Sequence, residues 1–416
     1  MFYLEQHWKN KTALLQEAVT KLGSPLYCYD KEIITSKYHE LKNAFSWPNI
    51  RIHYACKANN NLHILKHIHQ LGGCIDAVSI FEVQIALRAG FDPEQVLFTP
   101  NGVSFEELKQ GIELGVKVNV DNLSLLEQCG AAYASKIPIC IRLNPHIAAG
   151  GNYHIQTGHI DSKFGISIHQ LRHVIRIVNH YKLNVEGLHI HTGSEILDAE
   201  VFLRVAELLF ECARDFPDLS YIDFGSGFKI PYHEHDTTTN IAELGLQLSN
   251  CFEKFCSSYG RKLTLCFEPG KFLLSESGIL LVNAEVVKQT LSTVFVGVNS
   301  GQNHLIRPMF YDAYHHIVNL TNLSGRTRIY TVTGNICETD TFGWDRKLNE
   351  VHEGDLLGIL NAGAYGFSMS NNYNSRPRPA EVLLDGNDSF RLIRRRESLD
   401  DLLNTIAQPC KSLIST

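Results

Sequence analysis

Ile168-His-Gln-Leu-Arg-His-Val-Ile-Arg-Ile-Val178, followed by Leu188-His-Ile-His-Thr-Gly-Ser194, is the stretch whose reading decides the fold. In its first part Ile168, Leu171, Ile175 and Val178 recur at the three- and four-residue steps of an α-helix, a stripe that can cover a sheet. In its second part an apolar run ends in a polar, glycine-containing turn, the form of a buried strand and its exit loop. The same couplet repeats outward over residues 52–268. Apolar runs end at Tyr54-Ala55, Ile75-Ala77, Leu97-Phe98, Val118-Val120, Ile139-Leu143, Leu188-His191, Tyr221-Phe224 and Leu265-Phe267, with helical stripes such as Val201, Val205, Leu208 and Cys212 between them. Eight βα units over roughly the 250 residues such folds use predict an α/β fold, a (β/α)8 TIM-like barrel.

Beyond residue 278 the apolar pattern changes to β-branched and aromatic runs at 279–287, 293–298, 328–332, 355–360 and 380–384. We therefore expect a barrel over 31–279 and a C-terminal, mostly-β domain over 280–416, which the N-terminal segment 1–30 joins. The charge, 38 basic against 44 acidic residues for a net −6, argues against a nucleic-acid partner. The only basic run, Arg394, Arg395 and Arg396, ends in Glu397 and reads as a solvated strand end. Glu5, Lys9 and Lys11 interrupt any signal-peptide core, and no stretch approaches the ~20 apolar residues of a membrane span. Eleven cysteines without a C-x-x-C pair fit a reducing compartment, so a cytoplasmic protein is expected.

In such a barrel the chemistry collects at the carboxyl ends of the strands. The first run exits through Tyr54-Ala-Cys-Lys-Ala-Asn59. Partial desolvation in the barrel mouth is expected to lower the pKa of Lys57 and favour its nucleophilic amine; an exposed loop lysine is the plainer reading. The sixth exits through His189-Ile-His-Thr-Gly-Ser194, with both histidines on one face. No third ligand has a metal-like spacing, so no metal is expected; His191 can be a flat ring for a planar ligand and His189 a satisfied core histidine. The seventh exits through Asp223-Phe-Gly-Ser-Gly-Phe228, where Gly225, Ser226 and Gly227 can present backbone N–H groups to an anion or simply make a tight turn. The eighth exits through Phe267-Glu-Pro-Gly-Lys271, where a buried Glu268 needs a partner, either a protonated ring nitrogen or a structural cation. A lysine, a stacking ring, an anion nest and a buried carboxylate together match what pyridoxal 5′-phosphate requires: an imine partner, a face, a phosphate cup and a pyridinium partner.

The chain resembles the fold-type III pyridoxal-phosphate-dependent decarboxylases. The likeness runs from Ser24-Pro-Leu-Tyr-Cys-Tyr-Asp30 through the exits holding Lys57, His191 and Glu268, then Arg307-Pro-Met-Phe-Tyr311, Cys337-Glu338 and Ala362-Gly-Ala-Tyr-Gly366, to Asn372-Tyr-Asn-Ser-Arg376. It implies that Lys57 holds the cofactor covalently and that His191 stacks on its ring. Ser194, Gly225, Ser226, Gly227 and Gly270 would hold the phosphate, Glu268 would face the pyridine nitrogen, and Tyr365 would touch phosphate and substrate. Asp76 and Arg142 match positions that support the cofactor site, and Lys271 one that touches cofactor and substrate. Cys337 matches a proton donor delivered from the partner subunit, which implies a homodimer with shared active sites. Residues 150–165 match a segment that closes over substrate and is expected to be mobile without ligand. The sequence departs from the family pattern at Ser226, which interrupts a three-glycine turn, at Lys271 for arginine, Asn299 for aspartate and Glu195 for glutamine.

Arg307 with Tyr311 suggests recognition of a distal carboxylate, the structural alternative being an arginine that holds only the domain interface, and Glu338 can pair with a distal ammonium. Together they describe the distal amino-acid head of meso-2,6-diaminopimelate. The expected reaction is its decarboxylation to L-lysine and CO2, the last step of lysine biosynthesis. A carboxylate partner for the ring nitrogen favours decarboxylation over racemisation, and a thiol such as Cys337 can protonate Cα. The rivals are a decarboxylase of ornithine, arginine or lysine on the same fold, and a catalytically dead homologue that binds a partner protein.

Overall fold

The computed structural model describes residues 3–147 and 162–407. Its chain divides into two compact units, one holding residues 31–277 and 363–368, the other 3–30, 278–362 and the residues from 369 onward. The division at 277/278 lies two residues before the expected boundary, and Gly363–Ser368, expected in the C-terminal domain, belong with the barrel. Most of the 150–165 stretch, expected to close over substrate, lies outside the described residues.

Eight parallel strands close the barrel: β1 (Ile50–Ala55), β2 (Cys74–Ala77), β3 (Val96–Phe98), β4 (Lys117–Val120), β5 (Pro138–Asn144), β6 (Asn184–Ile190), β7 (Tyr221–Asp223) and β8 (Thr264–Phe267). The pairing of β8 with β1, through Leu265↔Ile50, Cys266↔Arg51 and Phe267↔Ile52, leaves no open edge. Covered on both faces, the strands read as near-continuous apolar runs; Val96, Leu97 and Phe98 are all buried. Short polar side chains start the intervening helices. Ser79, Ser104, Asn122, Asp198 and Asn240 each accept from a backbone N–H of the first turn. The covering faces differ from the predicted stripes. In the helix Leu171–Tyr181 only Val174 is fully buried, and in Ala199–Ala213 Val205 and Cys212 of the expected stripe are buried, while Phe202, Ala206 and Leu209 take the places of Val201 and Leu208. The curved barrel surface selects the buried arc, which a stripe drawn on an isolated helix does not contain. Among the described residues no helix is long and apolar enough to cross a membrane.

The second unit is a mostly-β sheet in the order Thr341–Asn349, Thr327–Thr333, Val294–Val298, Gly278–Gln289, Leu26–Asp30, Ala380–Asp385, Ser389–Arg394. Leu26–Asp30 is buried throughout and lies antiparallel to Gly278–Gln289 and parallel to Ala380–Asp385. Ahead of it lie two helices, Tyr3–Asn10 and Thr12–Leu22. The basic run does end a strand, Ser389–Arg394, and Arg395 is exposed, but its neighbours are engaged: Arg394 pairs with buried Glu381, and Arg396 donates to the Pro25 carbonyl at 2.7 Å. Asn299 donates to Ser24 Oγ at 2.7 Å, a role closed to a carboxylate.

Candidate active site

The eight strand exits bring one set of side chains together in the barrel unit. Lys57 leaves β1 in the single turn Cys56–Ala58 and stays open to solvent within the mouth. Protein crowded around the mouth desolvates the amine and pulls its pKa down, but Asp76, Tyr365 and Glu268 pull it up by more, and the net shift is upward. This reverses the expected lowering, because the sequence showed the strand end and not the carboxylates that fold around it. Asp76, at the end of β2, is buried, and its carboxyl is raised to about 6 by burial and by Glu268. Arg142, on β5, is buried with its guanidinium 4.8 Å from the Phe164 ring centroid.

Glu268, at the exit of β8, is buried, and its Oε2 lies 3.0 Å from His189 Nε2. Burial raises its pKa, while Lys57 and Arg142 act in the opposite direction. His189 is fully buried, and burial and Arg142 hold its pKa well below the usual histidine range, so it acts as a neutral donor to the carboxylate. The other carboxylate oxygen, Oε1, is buried without a hydrogen-bond partner among the described residues. Asp223, which pairs with His189 across β6 and β7, accepts from Gly225 N–H at 2.8 Å through Oδ1, while Oδ2 lies 3.6 Å from His53 Nδ1. Two groups of three potential ligating side chains, His53, Asp223 and Cys266, and His189, Asp223 and Glu268, thus share one aspartate.

His191 follows β6, and its Nδ1 accepts from Ser226 N–H at 3.2 Å, which places the proton of a neutral ring on Nε2. Its pKa also lies well below the usual range through burial and Arg142. Gly225 has φ +61, and a Cβ there would sit 2.4 Å from that Nδ1, so only glycine lets the turn lie against the ring. Ser194, three residues after His191 on the same exit, stands half-buried. Tyr365 N–H donates to the Ala58 carbonyl at 2.8 Å, and a Cβ on Gly270 would approach the Tyr365 hydroxyl to 3.1 Å. Lys271 pairs with Glu195 at 3.0 Å.

These features fit pyridoxal phosphate. A solvent-reachable amine, a ring fixed by a glycine turn and a buried carboxylate with one free oxygen meet the needs of its aldehyde, its face and its ring nitrogen. Held by Lys57, His191, Glu268 and the turn at Gly225, Ser226 and Gly227, it would supply an electron sink.

The remaining candidates lie in the second unit. Arg307, buried at the start of the short helix Arg307–Tyr311, has Nη1 3.3 Å from His315 Nε2, while His315 Nδ1 is bound to the Leu360 carbonyl at 2.8 Å. The carbonyl accepts from the Nδ1–H, which leaves Nε2 as an acceptor for Arg307. Cys337 is exposed, and Asn374 Nδ2 donates to its sulfur at 3.3 Å. Glu338 accepts from the Tyr373 hydroxyl. Sequence reasoning did not single out Tyr373, Asn374, His315 or the bond from His189. The first two lie inside the motif Asn372-Tyr-Asn-Ser-Arg376; nothing in the sequence marks the other two, which act through neighbours distant in the chain.

Residues 31–275 match the family model of the pyridoxal-dependent decarboxylases, pyridoxal binding domain. The chain is 38% identical to the diaminopimelate decarboxylase of Methanothermobacter thermautotrophicus over 95% of each chain, and 34% identical to that of Vibrio cholerae, again over 95% of each. The Helicobacter pylori diaminopimelate decarboxylase complexed with L-lysine superposes with a TM-score of 0.84 at 32% identity, covering 94% of this chain and 98% of that one. With its closed barrel, strand-end lysine and buried carboxylate, the chain belongs to the pyridoxal-dependent decarboxylases and, within them, to the diaminopimelate decarboxylase family.

Proposed function

We propose that this protein decarboxylates meso-2,6-diaminopimelate to L-lysine and CO2 with pyridoxal 5′-phosphate, as a cytoplasmic homodimer. The observation that carries the reading is Glu268, held through Oε2 by His189 with Oε1 free, in the same mouth as Lys57. When bound, the cofactor supplies the sink for the electron pair left as the Cα–CO2 bond breaks. Lys57 anchors it through Nζ, and Asp76 and Arg142 balance the charge around that amine. Glu268 Oε1 keeps a proton on the ring nitrogen, which deepens the sink. His191 covers one ring face, and the Gly225, Ser226 and Gly227 turn with Ser194, Gly270 and Tyr365 holds the phosphate. Arg307, Tyr311 and Lys271 orient the distal carboxylate, with Tyr365 also on the substrate, and Glu338 takes the distal ammonium. Cys337 of one protomer delivers the proton to Cα in the site of its partner.

Release of CO2 by the purified protein with cofactor tests the reading. Meso-2,6-diaminopimelate should be turned over far faster than L-lysine, L-ornithine or L-arginine. Preference for one of the monocarboxylates would assign the chain to a decarboxylase of another basic amino acid, and no turnover of any would overturn the enzyme.

A further inference from the structure

Glu195 and Lys271, two of the four positions where the sequence departs from the family pattern, meet as an ion pair at 3.0 Å although they stand 76 residues apart in sequence. The backbone aims both. Glu195 holds φ +65, and the Ile196 N–H beside it donates to the Gly227 carbonyl at 2.8 Å. A Cβ on Gly227 would lie 2.6 Å from the Gly193 carbonyl, so the exits of β6 and β7 are locked together. Lys271 opens a short helix after Gly270, on the same exit whose Glu268 N–H donates to the Gly225 carbonyl at 2.6 Å. The pair therefore links the exits of β6 and β8, each tied through its backbone to the glycine turn that leaves β7.

Its two side chains are 13% and 28% exposed, so the charges are neither fully hidden nor freely hydrated. Among the described residues Glu195 is the hydrogen-bond partner of the Lys271 ammonium, which has three donors and keeps two. An arginine beside a glutamine leaves a net positive charge at this corner. A lysine beside a glutamate leaves none.

We propose that Glu195 is a built-in competitor for Lys271: its carboxylate occupies one donor and cancels the charge that would draw the distal carboxylate of the substrate, so residue 195 sets how tightly that end is held. The inference rests on the proposed function, in which Lys271 meets that carboxylate. A lysine is a point charge without the fork that lets arginine serve two carboxylates at once, so the ligand must share the ammonium with Glu195.

L-Lysine retains the distal carboxylate and cadaverine has none, so the two discriminate. Calorimetric titration of the holoenzyme should show that Glu195→Gln tightens L-lysine by roughly two- to fivefold, does not tighten cadaverine, and gains less at high salt. Glu195→Gly, which suits the left-handed backbone, should act in the same way and guards against a folding defect in the first variant. In a Lys271→Met background the gain should vanish. Unchanged L-lysine affinity in both variants, equal tightening of the two ligands, or a gain that survives Lys271→Met would overturn the inference. CO2 release from meso-2,6-diaminopimelate by the unaltered enzyme tests the proposed function separately: turnover without the Glu195 effect sinks only the inference, and absence of turnover sinks the function.

Discussion

His189 donates to Glu268 as a neutral imidazole, because burial and Arg142 keep it from taking a second proton. A neutral donor steadies the carboxylate without contributing a full charge, so the basicity at Oε1 is preserved, as the proposed function requires of the oxygen that would meet a ring nitrogen. Replacing it with phenylalanine would strand a buried oxygen; His189→Phe should cost about 1–3 kcal/mol of stability, measured by denaturant unfolding, and His189→Gln, which can still donate, should recover part of it. A loss no larger than that of a surface substitution would show that the bond is idle. Cys337 sits at the opposite extreme, an exposed thiol touched by Asn374. As a proton donor in the proposed reaction its replacement by serine, a far weaker acid, should lower kcat by about 10²–10⁴-fold. A kcat within a factor of a few of the unaltered enzyme would remove Cys337 from that role.

The helix Ile80–Ala89 shows how an element couples the fold to the site. Ser79 caps it by accepting from Glu82 N–H, and Glu82 Oε2 turns back to accept from Val78 N–H at 2.8 Å. Burial raises the Glu82 carboxyl to about 7, with neighbouring Asp76 adding to the rise. Its unfolded value is 4.5. Between those values the folded chain holds a proton that the unfolded chain has lost, so this group makes stability fall as pH rises from 4.5 towards 7. The full effect is at most about 3 kcal/mol, since a tenfold difference in proton affinity between the folded and unfolded chains corresponds to about 1.4 kcal/mol. Thermal unfolding of the cofactor-free protein across that range should show the decline, to which buried Asp76 also contributes, and Glu82→Gln, which mimics the protonated form, should make it shallower. An equally steep curve for the variant would place the titration elsewhere.

At the scale of the whole molecule, the proposed homodimer makes each active site the product of two chains. Lys57 would come from one protomer and Cys337 from the other. Neither Lys57→Ala nor Cys337→Ser should support appreciable turnover alone. Co-expressed, they should form mixed dimers in which one of the two sites is intact, and random pairing would restore about a quarter of the unaltered activity. No recovery, with mixed dimers demonstrated by differential tagging, would mean that the sites are not shared.

The sequence by itself determined the barrel, because strands covered on both faces must be continuously apolar and the amphipathic stretches between them must lie against the sheet, although which arc of each helix is buried was left to the fold. It also placed Lys57, His191, Glu268 and the glycine turn, since strand exits are local features. Only the tertiary structure decided the electrostatics. The upward shift of Lys57, the bond from His189 to Glu268, the support of Arg307 by His315 and the pairing of Glu195 with Lys271 each depend on neighbours that the chain's order does not reveal. Charge and hydrogen bonding act through space over a few ångströms, and the fold alone sets those distances.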